Sequence, residues 1–238
     1  MAIKAVIFDF DDTLVATNQL FDAVKAAFAK KMAALDLADE QILPILNDFD
    51  LANVRQRGGL AKDCFPLALG QTYQHYCHLR AKPCDPALVR EFENMGWQVF
   101  EEPVTLLPGA KELLTALLPH YRLLLWTQGD PATQEKRFQA SGLAPYFSHF
   151  ETVPAKTAAN LSDLIERLKI EKSLSWAIGN SLRCDINPAL AIGLKAIHLE
   201  ISSWEYEHEE AIGFFYRAGC LDECLEIIKN NFQLTIDN

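Results

Sequence analysis

The chain has 238 residues, half of them hydrophobic, enough for one large domain or for a core that carries a substantial insertion. Its formal charge of −10, from 32 acidic against 22 basic residues with no Lys/Arg run, argues against a surface that tracks a phosphate backbone, so nucleic acid is not the expected partner. There is no run of 18 apolar residues to span a bilayer, and the apolar run before Asp9 is shorter than a signal-peptide core, so no membrane association and a cytoplasmic setting are expected.

Ile3 to Phe8 is apolar on successive residues, the pattern of a strand covered on both faces in a parallel sheet. It runs straight into Asp9, Asp11 and Asp12 within VIFDFDDTL. From Gln19 to about Glu102 the rhythm changes. QLFDAVKAAFAKKMAAL, DEQILPILNDFDLANV, CFPLALGQTYQHYCHL and PALVREFENMGWQVF all have helical spacing, with Gly58-Gly59 and Pro83 as breaks, and Pro103 and Pro108-Gly109 mark the return.

Buried-strand patterns recur at Leu123 to Trp126, Trp176 to Ile178 and Ala196 to Leu199. Between them, Asp130 is expected to cap a helix closed by Gly142, and Asp185 to Ile192 reads as another, closed by Gly193 and with Asp185 as its N-cap. Strands alternating with helices predict an α/β protein, a Rossmann-like three-layer core around a parallel sheet. Residues 1–17 and 104–238 would form this core, and 18–103 an inserted all-helical domain. Cys64, Cys77, Cys84, Cys184, Cys220 and Cys224 lack framework spacing and are read as reduced, buried thiols; zinc at Cys77, His78 and Cys84 is the weaker alternative.

In open α/β sheets the ligand site lies beyond the carboxyl ends of the strands. That rule gathers Asp9, Thr127, Lys156 and the stretch Asn180 to Asp185. If extended backbone continues past the first strand, Asp9 and Asp11 share a side and Asp12 faces the other way, so Asp12 is given no chemistry. Two carboxylates about 4 Å apart repel by about 4 kcal/mol at an effective dielectric near 20, which a divalent cation would relieve, and Mg²⁺ suits an all-oxygen site completed by water and phosphate. Asp9 could then attack phosphorus while Asp11 gives and takes the proton, with Lys156 and the Thr127 hydroxyl holding phosphoryl oxygens.

The ordered set VIFDFDDTL, LLLWTQGD, VPAK and IGNSLRCDINPALAIGLKAIHL resembles the four motifs of the haloacid dehalogenase superfamily of phosphohydrolases. The insertion after the first motif resembles the helical cap of its C1 subgroup. The resemblance implies Asp9 as nucleophile and Asp11 as acid/base, with Thr13 helping to orient Asp11. It implies Thr127 and the backbone at Gln128 as phosphate-binding groups and Lys156 as a bridge between phosphate and nucleophile. Mg²⁺ would be held by Asp9, the backbone carbonyl of Asp11, and Asn180 and Asp185. Position 180 departs from the family's pattern, which usually has Asp there; an Asn oxygen brings no charge, so weaker metal binding is expected.

The implied activity is Mg²⁺-dependent hydrolysis of a small phosphorylated metabolite through an aspartyl phosphate, with the cap closing over the site. The alternatives are a metal-independent 2-haloacid dehalogenase, in which Asp11 would have no purpose, a phosphomutase, and a non-catalytic phospholigand-binding member. Arg55, Arg57, Lys62, His75, Tyr76 and Arg80 are candidates for facing the substrate. SSWEYEHEE, after the last expected strand, resembles a loop of some phosphatases in the superfamily and reads equally as a surface connection. The sequence leaves the oligomeric state open.

Overall fold

The computed structural model describes residues 2–201 and 209–236. In chain order the elements are β1 (Ala5–Phe8), β2 (Val15–Ala16), α1 (Asn18–Ala34), α2 (Ile42–Arg57), α3 (Cys64–Leu79), α4 (Pro86–Gln98), β3 (Thr105–Leu106), α5 (Ala110–Leu117), β4 (Arg122–Gln128), α6 (Pro131–Ser141), β5 (His149–Val153), α7 (Ala158–Arg167), β6 (Trp176–Gly179), α8 (Asn187–Ala191), β7 (Lys195–Leu199), β8 (Tyr216–Ala218) and α9 (Leu221–Ile236). They group into two compact units, Met1–Asn18 with Val104–Asn238, and Gln19–Pro103.

The first unit is built on a six-stranded sheet in the order β5-β4-β1-β6-β7-β8, with every pair parallel. β1 is apolar on successive residues because both of its faces are covered. Val6 and Phe8 enter one apolar layer with Leu123, Leu125 and Ile178, while Ala5 and Ile7 enter the other with Leu124, Trp126 and Ala177. From β1 the chain goes to β4 and β5 on one side, then crosses to β6, β7 and β8 on the other. The winding reverses beside β1, and such a switch point opens a crevice at the carboxyl ends of the strands. β8 carries no buried-strand pattern in the sequence. The antiparallel ribbon of β2 and β3, Val15 opposite Leu106 and Ala16 opposite Thr105, is too short to leave a periodic signal.

The second unit contains α1 to α4, in the segments where helical spacing places them. Their inward faces share one apolar cluster that includes Phe28, Met32, Leu46, Phe65, Leu69, Tyr76 and Phe92. α4 starts cleanly, with the Asp85 carboxylate accepting from the Ala87 N–H and Pro86 at the first helical position. The reading of all six cysteines as buried is corrected at Cys84 and Cys220, which are exposed, and at Cys184, which is half-buried. Cys220 lies one residue ahead of α9 and so outside the buried stripe that holds Cys224. Among the described residues no group of three or more His, Cys, Asp or Glu side chains could hold a metal ion, Cys77, His78 and Cys84 included. SSWEYEHEE begins at Ser202 and falls largely outside the described residues.

α3 and α4 approach closely at Gly96, where a Cβ would stand 2.6 Å from the Pro66 Cα and 3.0 Å from its nitrogen. Helix propensity favours Ala over Gly by about 1 kcal/mol. The obstruction is backbone and cannot rotate away, so overpacking, about 1–3 kcal/mol, outweighs it. Gly96→Ala is therefore expected to lower the denaturant midpoint in equilibrium unfolding. A variant more stable than the parent would mean that the helices part without cost.

Candidate active site

β1 delivers Asp9 in register: its N–H still donates to the Ile178 carbonyl of β6, at 3.0 Å. The backbone then turns on itself, which corrects the expectation of extended chain through Asp12. The N–H groups of Leu14 and Val15 both donate to the Phe10 carbonyl, at 2.9 and 3.2 Å, and Asp12 takes a left-handed conformation with φ 54°. Aspartate tolerates that region better than most residues because its short side chain bonds locally. Here the Asp12 carboxylate accepts from the N–H groups of Thr17 and Asn18, each at 2.9 Å, and so caps the start of α1.

Asp9 stands between two partners. One carboxylate oxygen accepts from the Lys156 ammonium, and the other from the Thr13 hydroxyl at 2.9 Å. Lys156, in the loop after β5, also donates to Asp185 at 2.6 Å, so one buried ammonium bridges two buried carboxylates. Asp185 lies in a π-helical turn, Leu182–Ile186, and its second oxygen accepts from the Ser181 N–H at 3.0 Å. The expected N-cap role of Asp185 is corrected: the Ser181 hydroxyl caps this turn, accepting from the Cys184 N–H at 2.8 Å. A glycine precedes the turn for a steric reason, since a Cβ on Gly179 would come within 2.2 Å of the Asp185 carboxylate. Asn180 presents its side-chain oxygen 3.4 Å from the Thr13 hydroxyl, and its main-chain carbonyl lies 3.0 Å from His198 Nε2.

Asp11 belongs to a second network. It accepts from the Arg137 guanidinium, the Thr17 hydroxyl at 2.7 Å and the Gln134 amide at 2.7 Å. The same Gln134 nitrogen is 2.8 Å from the Thr127 hydroxyl at the end of β4 and 3.2 Å from the Gln128 carbonyl. The Gln128 side chain accepts from the Lys156 N–H at 3.3 Å. Two relations therefore differ from expectation: Thr13 holds Asp9 and Asn180, not Asp11, and Asp9 and Asp11 each have their own cation, Lys156 and Arg137. Thr17, Gln134, Arg137 and His198 were not singled out from the sequence. Gln134 and Arg137 do lie three apart on a helix whose Asp130 cap and Gly142 end are both legible, so they share a face.

Burial pushes the Asp9 carboxyl up to about 7. Lys156 opposes this, while Asp185 and Asp11 add to it. For Lys156 burial alone would lower the value, but Asp185 and Asp9 outweigh it and the ammonium is held above its usual range. Asp11 is also burdened by burial, yet the Arg137 charge and the bonds from Thr17 and Gln134 keep it below the ordinary carboxylate value. With both its carboxylates ionised, the Asp9–Lys156–Asp185 bridge is one positive charge short. That deficit and the all-oxygen donor set fit a hard divalent cation. Asp9, Asp185 and the Asn180 oxygen could hold it, with main-chain carbonyl and water completing the shell, as Mg²⁺ prefers to retain water.

A lysine-bridged pair of aspartates stands beyond the carboxyl ends of two adjacent parallel strands, β1 and β6, at the switch point where α/β enzymes hold their ligands. The comparisons with known proteins are consistent with this: the haloacid dehalogenase-like hydrolase family matches residues 3–193, and the chain belongs to that family. The chain is also 25% identical over 209 residues to the glyceraldehyde 3-phosphate phosphatase of Pyrococcus abyssi, covering 82% of this chain and 80% of that one. Among solved structures it resembles a haloacid dehalogenase-like hydrolase from Xanthomonas campestris, with TM-score 0.75 and 21% identity over 96% of each chain. It also resembles the magnesium-bound hydrolase YfnB from Bacillus subtilis, with TM-score 0.63 and 20% identity over 96% of this chain and 99% of that one.

The raised Asp9 value has a consequence for stability. A carboxylate that holds its proton more tightly folded than unfolded weakens the fold as it ionises. In chelator, stability should therefore fall as pH rises from the ordinary 3.8 to about 7, and level off above. Asp9→Asn should shrink that slope and abolish it between about 6 and 7, leaving below about 6 the part that the buried Asp12 carboxyl contributes, which thermal unfolding across this range will measure. An equal slope in parent and variant would place the proton elsewhere.

Proposed function

We propose that the protein is a Mg²⁺-dependent phosphatase of a small phosphorylated metabolite, with residues 18–103 acting as a substrate-selecting cap of the C1 kind. The observation that carries this reading is the lysine bridge. A buried ammonium shared by Asp9 and Asp185 at the switch point keeps a carboxylate oxygen fixed where a phosphoryl group would meet several positive donors at once. Asp9 attacks phosphorus, and the bond to the departing oxygen breaks as that oxygen takes a proton from Asp11. Water then gives a proton to Asp11 as it attacks phosphorus, and the Asp9–phosphorus bond breaks to release inorganic phosphate.

Each remaining residue has a task in this scheme. Thr13 holds the attacking carboxylate, and the Thr127 hydroxyl, the Gln128 backbone and Lys156 bind phosphoryl oxygens. A bound Mg²⁺ supplies charge neutralisation between nucleophile and phosphate. The name of the Pyrococcus relative supports a short phosphorylated metabolite as substrate. Metal-independent attack on carbon is the competing reading, favoured by Asn180. It leaves unexplained why Asp11 is present and held by three side chains.

Phosphate release from p-nitrophenyl phosphate and a metabolite panel with Mg²⁺ tests the proposal, with chloride release from 2-chloropropionate measured beside it. Asp9→Asn is expected to lose at least about a thousandfold in kcat. Release of chloride and no phosphate, or equal rates with and without Asp9, would remove the phosphatase. Separately, Asn180→Asp should tighten Mg²⁺ about tenfold in calorimetric titration, because it adds a charge to the donor set. An unchanged Kd would place position 180 outside the coordination shell.

A further inference from the structure

We propose that Gln134 and Arg137 are positioning residues that fix the Asp11 carboxylate relative to the phosphate-holding Thr127 hydroxyl; this rests on the roles given to Asp11 and Thr127 under the proposed function. Both side chains rise from one face of α6, one turn apart, and meet Asp11 from above its turn. Gln134 is buried, and its side-chain nitrogen hydrogen-bonds both Asp11 and Thr127, at 2.7 and 2.8 Å. Gly129, whose φ of 145° suits glycine, leaves room for it: a Cβ there would stand 3.3 Å from the Gln134 Cγ.

The hydrogen-bond count assigns further detail. In the Gln134 bond the Thr127 oxygen accepts, so the hydroxyl's own proton stays available for a phosphoryl oxygen. Among the described residues, Asp11 Oδ1 accepts from both Arg137 and Thr17, while Oδ2 accepts from Gln134 alone. Each carboxylate oxygen has about two lone-pair sites. Oδ2 is thus the oxygen with an open site, and the proton passed to the leaving group and recovered from water travels through it. Arg137 closes the ring: its other terminal nitrogen donates to the Thr17 hydroxyl at 2.8 Å, and its guanidinium lies over the Phe10 ring at 5.5 Å, with Phe138 edge-on behind. A fork donor seated on an aromatic face fixes direction as well as charge, which a lysine would do less well.

The test compares kcat/KM for an aryl phosphate, p-nitrophenyl phosphate, whose phenolate departs without a proton, with that for an alkyl phosphate, glycerol phosphate, whose alkoxide needs one. Arg137→Met and Gln134→Met should lose about a hundredfold on the alkyl ester and less than about threefold on the aryl ester. Arg137→Lys should recover part of the alkyl loss, and adding Arg137→Met to Asp11→Asn should cost little more than Asp11→Asn alone. Equal losses on the two esters, or additive losses in the double variant, overturn the proposal. Should the parent hydrolyse neither ester nor any member of the metabolite panel, the function itself fails, and the positioning claim is decided by melting temperatures. Less-than-additive losses from Asp11→Asn and Arg137→Met sustain it, and additive losses overturn it.

Discussion

The site depends on one buried ammonium. Lys156 is almost entirely withdrawn from solvent and stands between Asp9 and Asp185, which come from opposite sides of the switch point. Burying a charge costs several kcal/mol, and only close pairing offsets it. Three ionisable groups are therefore tolerated at the carboxyl end of the sheet because each is tied to the others. Removing the lysine would leave two like charges in a low-dielectric pocket, while removing either aspartate would leave the lysine half-paired. Other local features follow from keeping this bridge intact. Glycine at 179 leaves room for the Asp185 carboxylate, the π-helical turn aims it, and Thr13 takes the second oxygen of Asp9.

A second electrostatic arrangement beside the first divides the work. Asp9 and Asp11 are two residues apart, yet their carboxylates titrate in opposite directions, one raised by burial and one lowered by Arg137. The proposed roles need the reverse order, an ionised nucleophile at Asp9 and a proton on Asp11, so the charge of a bound cation and of the phosphoryl group would have to set it. The separation is imposed by backbone geometry, because the turn after Phe10 sends Asp11 toward α6 and Asp9 toward the loop after β5.

The sheet was legible in the sequence because burial on both faces leaves runs of successive apolar residues at β1, β4, β6 and β7. The helices of the second unit were legible through their spacing. β5 and β8, the two edge strands, were not, since His149 to Thr152 are only half-buried and, of Tyr216 to Ala218, Ala218 alone is buried. In the site, Asp9, Lys156 and Asp185 were found from their places at strand ends, and the structure brings them into direct contact. Which cation serves which carboxylate could not be read, because it depends on a four-residue turn and on which helix face meets it. Gln134 and Arg137 were missed for that reason. Helical periodicity shows that two residues share a face and does not show what the face meets.

The two-residue ribbon of β2 and β3 has an architectural consequence. It joins the chain just before the helical segment to the chain just after it, Val15 opposite Leu106 and Ala16 opposite Thr105. The whole run from α1 to α4 is thus an elaborated hairpin loop, whose ends are fastened by main-chain bonds belonging to the sheet-bearing unit. Because the entropy of closing a loop grows only with the logarithm of its length, a fastening of this kind lets lineages lengthen, shorten or exchange the excursion while the catalytic residues keep their places.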